Sequence, residues 1–146
     1  MKTNKLEIEE KYVSFDTAKL LNEKGYDNCL NDIWYDKDGI KFHKYHYDIS
    51  NDYRVRQNQA VYQCPTLQIA NDWLQIKHNL HVSVTPSFGE YETMPGGYFE
   101  DTFEGWVVTI YNISNCNVVY YKKNSYFMTH ESGFDFGIKY CLENLI

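Results

Sequence analysis

The side chains that could perform acid–base or metal chemistry in this sequence begin with its histidines. Two pairs of histidines are separated by two residues, and they are His43 with His46 and His78 with His81. This spacing occurs in metal sites, but zinc needs three or four ligands, so Cys64 or Cys116 would have to join a pair. Because neither pair has a full ligand set, we interpret them as surface histidines and predict no metal and no cofactor.

A second kind of chemistry is indicated around His81. His81, Val82 and Ser83 match the His-x-Ser/Thr strand motif of phosphoesterases, in which two such motifs supply paired histidines. One histidine activates the nucleophile and the other protonates the leaving group. Only one match is present, and a lone acid–base group lacks its partner. A small phosphodiesterase-like hydrolase that uses His81 is therefore an alternative, and we favour a protein that is not an enzyme.

The four cysteines could act as nucleophiles or form a disulfide framework. They are widely and irregularly spaced, at Cys29, Cys64, Cys116 and Cys141. In a cytosolic chain such spacing is typical of free thiols. Cys141 lies on the apolar stripe of a predicted helix, which indicates a core position. Cys64 precedes a helix, where a thiolate could be stabilised, but no glycine-rich oxyanion element flanks it. We therefore predict no catalytic residue.

Aromatic and basic side chains interleave between residues 34 and 56. The candidate binding residues in this region are Trp34, Tyr35, Tyr45, Tyr47, Arg54 and Arg56. Such a mixture suits a stacking platform for nucleic-acid bases or a surface that binds a protein. Five aspartates between residues 32 and 52 almost cancel the basic charge. A strand pair with one packed face explains the pattern as well, and both interpretations stay open.

A third candidate region is acidic. Between His78 and Tyr121 there is no lysine or arginine, but there are five carboxylates, so this segment carries −5 of the net charge of −6. Its candidate binding residues are Tyr91, Tyr98 and Phe99. Such a segment repels phosphate, which disfavours nucleic acid as a partner. The segment from Phe88 to Glu104 is either a solvated loop or a docking surface for a basic protein.

Length and composition place the chain among ordinary globular domains. It has 146 residues, of which 43% are hydrophobic and 23% charged, and this excludes a wholly disordered chain. No stretch approaches the roughly 20 apolar residues of a membrane span, so no membrane partner is expected. The N-terminus lacks the apolar stretch of a signal peptide, so we expect a cytoplasmic protein. A single domain over residues 1–146 is predicted, with residues 1–12 as a mobile N-terminal segment.

Three amphipathic helices are predicted. The first is capped by Ser14 and ends at Gly25. The second starts after Pro65 at Thr66 and stops at Asn79. The third runs to Ile146 and is predicted to begin at a cap on Ser132, with Asp135 completing a capping box.

The strands are predicted from alternation and turn residues. Aromatic residues flank Asp38-Gly39, which indicates a hairpin there. A strand from Leu80 is predicted to end before Pro86, with Leu80, Val82 and Val84 facing one way. Residues 87–105 are predicted to be a long loop or an extended hairpin tip, followed by strands over residues 106–111 and 118–122. Together these elements predict an α+β fold, an antiparallel sheet of about three to five strands with two or three helices packed on one face.

One set of residues in the first two predicted helices forms a familiar pattern: Ser14, Thr17 to Leu21, Glu23 to Gly25, Pro65, Thr66, Ala70, Trp73 and Leu74. In these residues the chain resembles a family of small uncharacterised proteins from phages and prophages of gut Bacteroidales. The capped C-terminal helix matches the family in pattern, though not in its Glu-Ala-rich composition. These motifs are helix starts and core stripes, so the resemblance implies a mobile-element origin and specifies no chemistry.

We expect, from the incomplete catalytic sets and the aromatic residues beside biased charge, a non-enzymatic phage or prophage accessory protein that binds another macromolecule. The expected partner is a protein of the host or the phage, and a phage-encoded chain would act in the host cytoplasm. Two alternatives stay open, a hydrolase using His81 and a nucleic-acid-binding module through residues 34–56.

Overall fold

A computed structural model describes residues 10–44 and 59–146, with the backbone alone at residues 91–93 and 98–100. The helices of this part of the chain are α1 (Phe15–Glu23), α2 (Leu67–His78) and α3 (His130–Asn144). The strands are β1 (Ile33–Tyr35), β2 (Lys41–His43), β3 (Tyr62–Gln63), β4 (Leu80–Met94), β5 (Tyr98–Asn112) and β6 (Asn117–Tyr121). Within these described ranges, no helix has the length and apolar character needed to cross a membrane.

The strands form two antiparallel sheets, in the orders β2-β1-β3 and β4-β5-β6. The expected α+β fold is confirmed, and the strands are divided between two sheets. The first hairpin turns at Asp38-Gly39, as the sequence predicts. The backbone N–H of Asp36 donates to the carbonyl of Ile40 across this turn. Gly39 has a φ of +83°, a conformation that glycine adopts without steric cost.

The ends of α1 and α2 are those the sequence predicts. The Ser14 hydroxyl accepts a hydrogen bond from the Thr17 backbone N–H, and Gly25 follows α1 with a φ of +90°. The Thr66 hydroxyl accepts from the Ile69 N–H at 3.2 Å, and Asn79 ends α2 in the left-handed conformation. Each cap satisfies an amide or carbonyl group that the helix itself leaves without a partner.

The start of α3 was predicted three residues too late. Thr129 is the cap, and its hydroxyl accepts from the Ser132 N–H at 3.1 Å. Asp135 completes no capping box, because its carboxylate is engaged at the start of α1. It accepts from the Ser14 N–H and hydroxyl, both at 2.8 Å, and from the Thr17 hydroxyl at 3.1 Å. Asp135 thereby ties α1 to α3, a long-range contact that spacing alone does not reveal.

Helices α2 and α3 share one core with β4 and β5, and α1 packs beside α3. The largest fully buried side chains include Leu21, Leu74, Ile110, Ile138 and Leu142. Gly133 and Gly137 let α3 approach the sheet closely, because a Cβ at Gly133 would lie 3.2 Å from Val108 Cγ2 and one at Gly137 would overlap Val82 Cγ1. The prediction that the helices pack together on one face of a sheet is therefore confirmed.

The strand from Leu80 does not end before Pro86, which corrects the sequence prediction. β4 continues to Met94, and its pairing with β5 runs from Leu80–Asn112 to Met94–Tyr98. Pro86 is tolerated because β4 is an outer strand, where a missing N–H need not break the ladder. Residues 87–105 are therefore an extended hairpin rather than a loop, and we call residues 86–105 the arm.

Candidate functional site

The described part of the predicted stacking platform is occupied by contacts within the chain. Tyr35 is buried, its hydroxyl donates to the Val13 carbonyl at 2.8 Å, and its ring lies 5.4 Å from that of Phe15. The Trp34 indole N–H donates to the Asn31 carbonyl at 2.9 Å, and Lys44 Nζ lies 4.1 Å from the Trp34 ring centre. The structure thus places Tyr35 in the core. Four further candidates, Tyr45, Tyr47, Arg54 and Arg56, lie outside the described residues.

The histidines are dispersed over the fold. His43 Nδ1 lies 2.9 Å from Asp32 Oδ2, and His46 lies outside the described residues. The His78 ring packs edge-on against Trp73, whereas His81 pairs with Tyr111 on the sheet face opposite the helices. Among residues 10–44 and 59–146, no three histidine, cysteine, aspartate or glutamate side chains converge in a way that could hold a metal ion.

The buried thiols are poor nucleophiles. Cys64 Sγ donates to the Val13 carbonyl at 3.6 Å, and burial raises the pKa of this thiol to about 11. Burial also raises the pKa of Cys141 to about 12. Both groups therefore keep their protons near neutral pH. Cys29 and Cys116 are exposed, and all four cysteines are free thiols.

The surface hollows described below bring together no complete set of catalytic side chains from the described residues. One of about 460 Å³ includes Asp32, His43 and Cys64 in its lining, but Cys64 is almost fully buried and protonated. Another, of about 320 Å³, lies at the start of α3 beside His130. His81 lines neither hollow.

A continuous row of aromatic rings runs from the arm to the start of α3. Its members, which we call the aromatic row, are Phe88, Phe103, Trp106, His130 and Phe134. The distances between successive ring centres are 5.9, 5.8, 5.1 and 5.6 Å. Phe134 is buried, but 63% of Phe88 and 48% of Phe103 is exposed. The row therefore begins in the core and ends in solvent.

A bulge in β5 creates this row. The pairing shifts from Ser87–Gly105 to Phe88–Phe103, so β5 holds one extra residue, Glu104, at this point. Strict alternation from Trp106 would place Phe103 on the opposite face of the strand. The extra residue returns Phe103 to the face of Trp106, and the two rings touch. Sequence reasoning missed Phe88, Phe103, Trp106 and His130 as a set because nothing in the local pattern marks the bulge.

The base of the arm is braced on its β5 side. The Trp106 N–H donates to the Phe127 carbonyl at 2.9 Å, and the Phe127 N–H donates back at 2.8 Å. Gly105 has a φ of +142°, and a Cβ there would lie 2.8 Å from Tyr126 Cβ. Only glycine fits at this close approach. The bracing fixes the direction in which the arm leaves the core.

Acidic side chains continue the face that carries the aromatic row. Glu90 pairs directly with Asp101, two residues beyond Phe88, and both side chains are exposed. Within the part of the chain that the structure describes, no lysine or arginine forms an ion pair with either carboxylate. Like charges directly opposite on a sheet destabilise it. Of the other predicted binding residues in the arm, Tyr91 pairs with Glu100 and Phe99 with Glu92, while Tyr98 pairs with Met94 beside the turn.

Searches against protein-family models, curated proteins and solved structures found no match to this chain. The features of the described residues that point to a function are therefore the aromatic row and the Glu90–Asp101 pair.

Proposed function

We propose that this protein acts by binding another protein, and that the bound segment presents arginine or lysine side chains to the arm. The single observation that carries the proposal is the meeting of exposed rings and opposed carboxylates on one face. Phe88 and Phe103 lie directly next to Glu90 and Asp101 along the same two strands. Each feature alone occurs on ordinary surfaces, but together they form a surface of defined chemistry.

An arginine side chain matches this surface in two ways. Its guanidinium group stacks on an aromatic face and forms paired hydrogen bonds to a carboxylate. At this site each ring lies two residues from a carboxylate along its own strand and on the same face, so one long side chain can reach both. A bound cation would also relieve the repulsion between Glu90 and Asp101, which no described lysine or arginine offsets by an ion pair.

The charge of the arm favours a basic protein over a nucleic acid. Residues 79–120 contain five carboxylates and no lysine or arginine. A phosphate backbone would be repelled along the whole of this segment. The described aromatic residues of the 34–56 region, Trp34, Tyr35 and Phe42, are packed or hydrogen-bonded within the chain and support no base stacking. The hydrolase alternative has no support from His81, which lies beside Tyr111 on the sheet face opposite the helices.

The resemblance to phage and prophage proteins remains a prediction, and we propose on that basis that the protein is an accessory protein of a mobile element. The partner would then be a protein of the host or of the phage. The chemistry of the arm does not depend on this origin.

Binding to a basic peptide tests the proposal directly. An arginine-rich peptide labelled with a fluorophore is titrated with the full chain, and anisotropy reports binding. We expect Glu90→Lys combined with Asp101→Lys to weaken binding by about tenfold or more, which corresponds to about 1.4 kcal/mol. The matched control is Glu23→Lys combined with Asp72→Lys, which changes the net charge equally on exposed helical positions.

The control separates surface recognition from general charge attraction. If both double variants weaken binding equally, the arm is not the binding surface. If the unaltered chain binds no basic peptide, the proposal fails. Salt-dependent retention of single-stranded nucleic acid would instead favour the nucleic-acid alternative, and phosphodiester hydrolysis that His81→Ala abolishes would favour the hydrolase.

A further inference from the structure

The outer edge of β4 is closed at one point by a side chain that imitates a strand. The Val82 N–H donates to the Asn71 side-chain oxygen at 2.9 Å, and the Asn71 side-chain NH₂ donates to the Val82 carbonyl at 3.1 Å. Asn71 is itself buried in α2, so the contact is part of the core. The backbone groups of Val82 therefore point outward from the sheet, and α2 satisfies them.

Beyond this point the described residues leave the edge open. In an antiparallel ladder, alternate residues point their backbone groups towards the same side. The backbone groups of Val84, Phe88 and Glu90 therefore point outward from the sheet, like those of Val82. Pro86, between them, offers only a carbonyl. No described residue forms a backbone hydrogen bond with the outer edge of β4 from Ser83 to Glu90. An open strand edge is a template for another chain.

We propose that the basic segment binds as an added antiparallel strand on the outer edge of β4, along the arm. This inference rests on the proposed function and specifies the conformation of the bound segment. The residues with outward backbone groups, Phe88 and Glu90, also carry their side chains on the face of the aromatic row. A strand bonded to them would place alternate side chains beside Phe88 and Glu90.

The register of such a strand determines the sequence it needs. Because the added strand runs antiparallel, a basic residue opposite Glu90 is followed two residues later by an apolar residue opposite Phe88. The preferred segment therefore reads Arg/Lys-x-apolar, in an extended conformation. Antiparallel pairing is assigned because it is slightly more stable per residue than parallel pairing.

The same acidic residues explain why the edge would not pair with a second copy. Two β4 edges in contact would bring the carboxylates of both copies together without any cation between them. Pro86 and the bulge beside Phe88 further hinder the pairing of two identical edges. A basic strand converts this repulsion into attraction, so the edge distinguishes partner from self by charge.

Backbone methylation of the peptide tests strand addition separately from side-chain docking. Three peptides of one extended sequence with the Arg-x-Phe pattern are compared, unmodified, N-methylated at one set of alternate residues, and N-methylated at the other set. In an added strand only one set of N–H groups faces β4. We expect one methylated peptide to bind at least about tenfold more weakly and the other to bind within twofold of the unmodified peptide.

Hydrogen exchange on the labelled full chain gives an independent readout. The amides of Val84, Phe88 and Glu90 should exchange more slowly when the unmodified peptide is bound. If both methylated peptides bind like the unmodified one and these amides gain no protection, strand addition is wrong while the proposed function survives. If the unmodified peptide does not bind at all, the proposed function fails with it.

Discussion

The two halves of the β4–β5 hairpin are built from the same pair of strands but differ in what covers them. In the half next to the helices, Val82, Val108 and Ile110 are buried under α2 and α3. In the arm, Phe88 and Phe103 occupy equivalent positions on the same face and remain about half exposed. The comparison shows that an apolar residue on a strand becomes core only where another layer reaches it.

The two halves also differ in charge. All five carboxylates of residues 79–120 lie in the arm, at positions 90–104, and none lies in the half that the helices cover. Burial of a charge requires a partner, so acidic residues are compatible only with the uncovered half. The exposed rings of the arm therefore lie beside the Glu90–Asp101 pair, whereas Val82, Val108 and Ile110 belong to the apolar core.

The largest expected effect contrasts a residue of α3, which covers one half of the hairpin, with a residue of the arm. Ile138→Ala removes a fully buried side chain from α3 over the sheet, and we expect it to lower the free energy of unfolding by about 2–5 kcal/mol. Phe88→Ala removes a larger side chain from the arm, and we expect a change of less than about 1 kcal/mol, since most of that ring is already in water. Urea unfolding measures both. Equal losses would show that the arm packs against the core.

An intermediate effect on the free energy of unfolding is expected at alkaline pH, and it arises from a buried thiol of the core. Burial raises the pKa of Cys64 from 9.0 to about 11, and unfolding returns it to its ordinary value. Above pH 9 the unfolded chain therefore releases a proton that the folded chain retains. Stability is at its full value below pH 9 and decreases as the pH rises towards 11.

Urea unfolding at pH 7, 9 and 10.5 follows this loss. Cys64→Ala should make the decrease shallower, whereas Cys29→Ser, at an exposed thiol, should leave it unchanged. A decrease that is the same in Cys64→Ala as in the unaltered chain would contradict a contribution from the buried thiol.

The smallest expected effect is a stabilisation of the fold, and it comes from a substitution in the arm. Glu90→Lys replaces a like-charge pair with an opposite-charge pair across from Asp101, and we expect it to stabilise the fold by roughly 0.2–1 kcal/mol. The same change should weaken binding of a basic peptide, because one of the two carboxylates is replaced by a cation. A thermal unfolding scan measures the first effect and anisotropy the second. If Glu90→Lys destabilises the fold, the pair is not repulsive in the native protein.

Much of the fold could be predicted from local patterns, and the errors are instructive. The cap at Ser14 and the helix ends at Thr66 and Asn79 were predicted correctly, because each depends on residues and backbone groups only a few positions apart. The cap on Ser132 was wrong because Asp135, which imitates a capping box in sequence, bonds to Ser14 instead. The prediction that a strand ends before Pro86 is wrong because the place of Pro86 at the outer edge of a sheet depends on strand order.

The candidate site was predicted less well than the fold. The acidity of the segment from Phe88 to Glu104 could be predicted, since charge can be counted directly. The aromatic row was not recognised, because one extra residue in β5 reverses the face of every side chain beyond it. Tyr35 was a candidate binding residue until the structure placed it in the core, where its hydroxyl contacts Val13.

By itself the sequence determined the amphipathic helices, the first hairpin and the acidity of the arm, because these depend on neighbouring residues and on composition. Only the tertiary structure decided where the helices stop covering the β4–β5 hairpin and which side chains share its exposed face. Both depend on contacts between residues far apart in the chain, such as Asn71 with Val82 and Trp106 with Phe127. Such contacts form only when the whole chain has packed, so no local pattern specifies them.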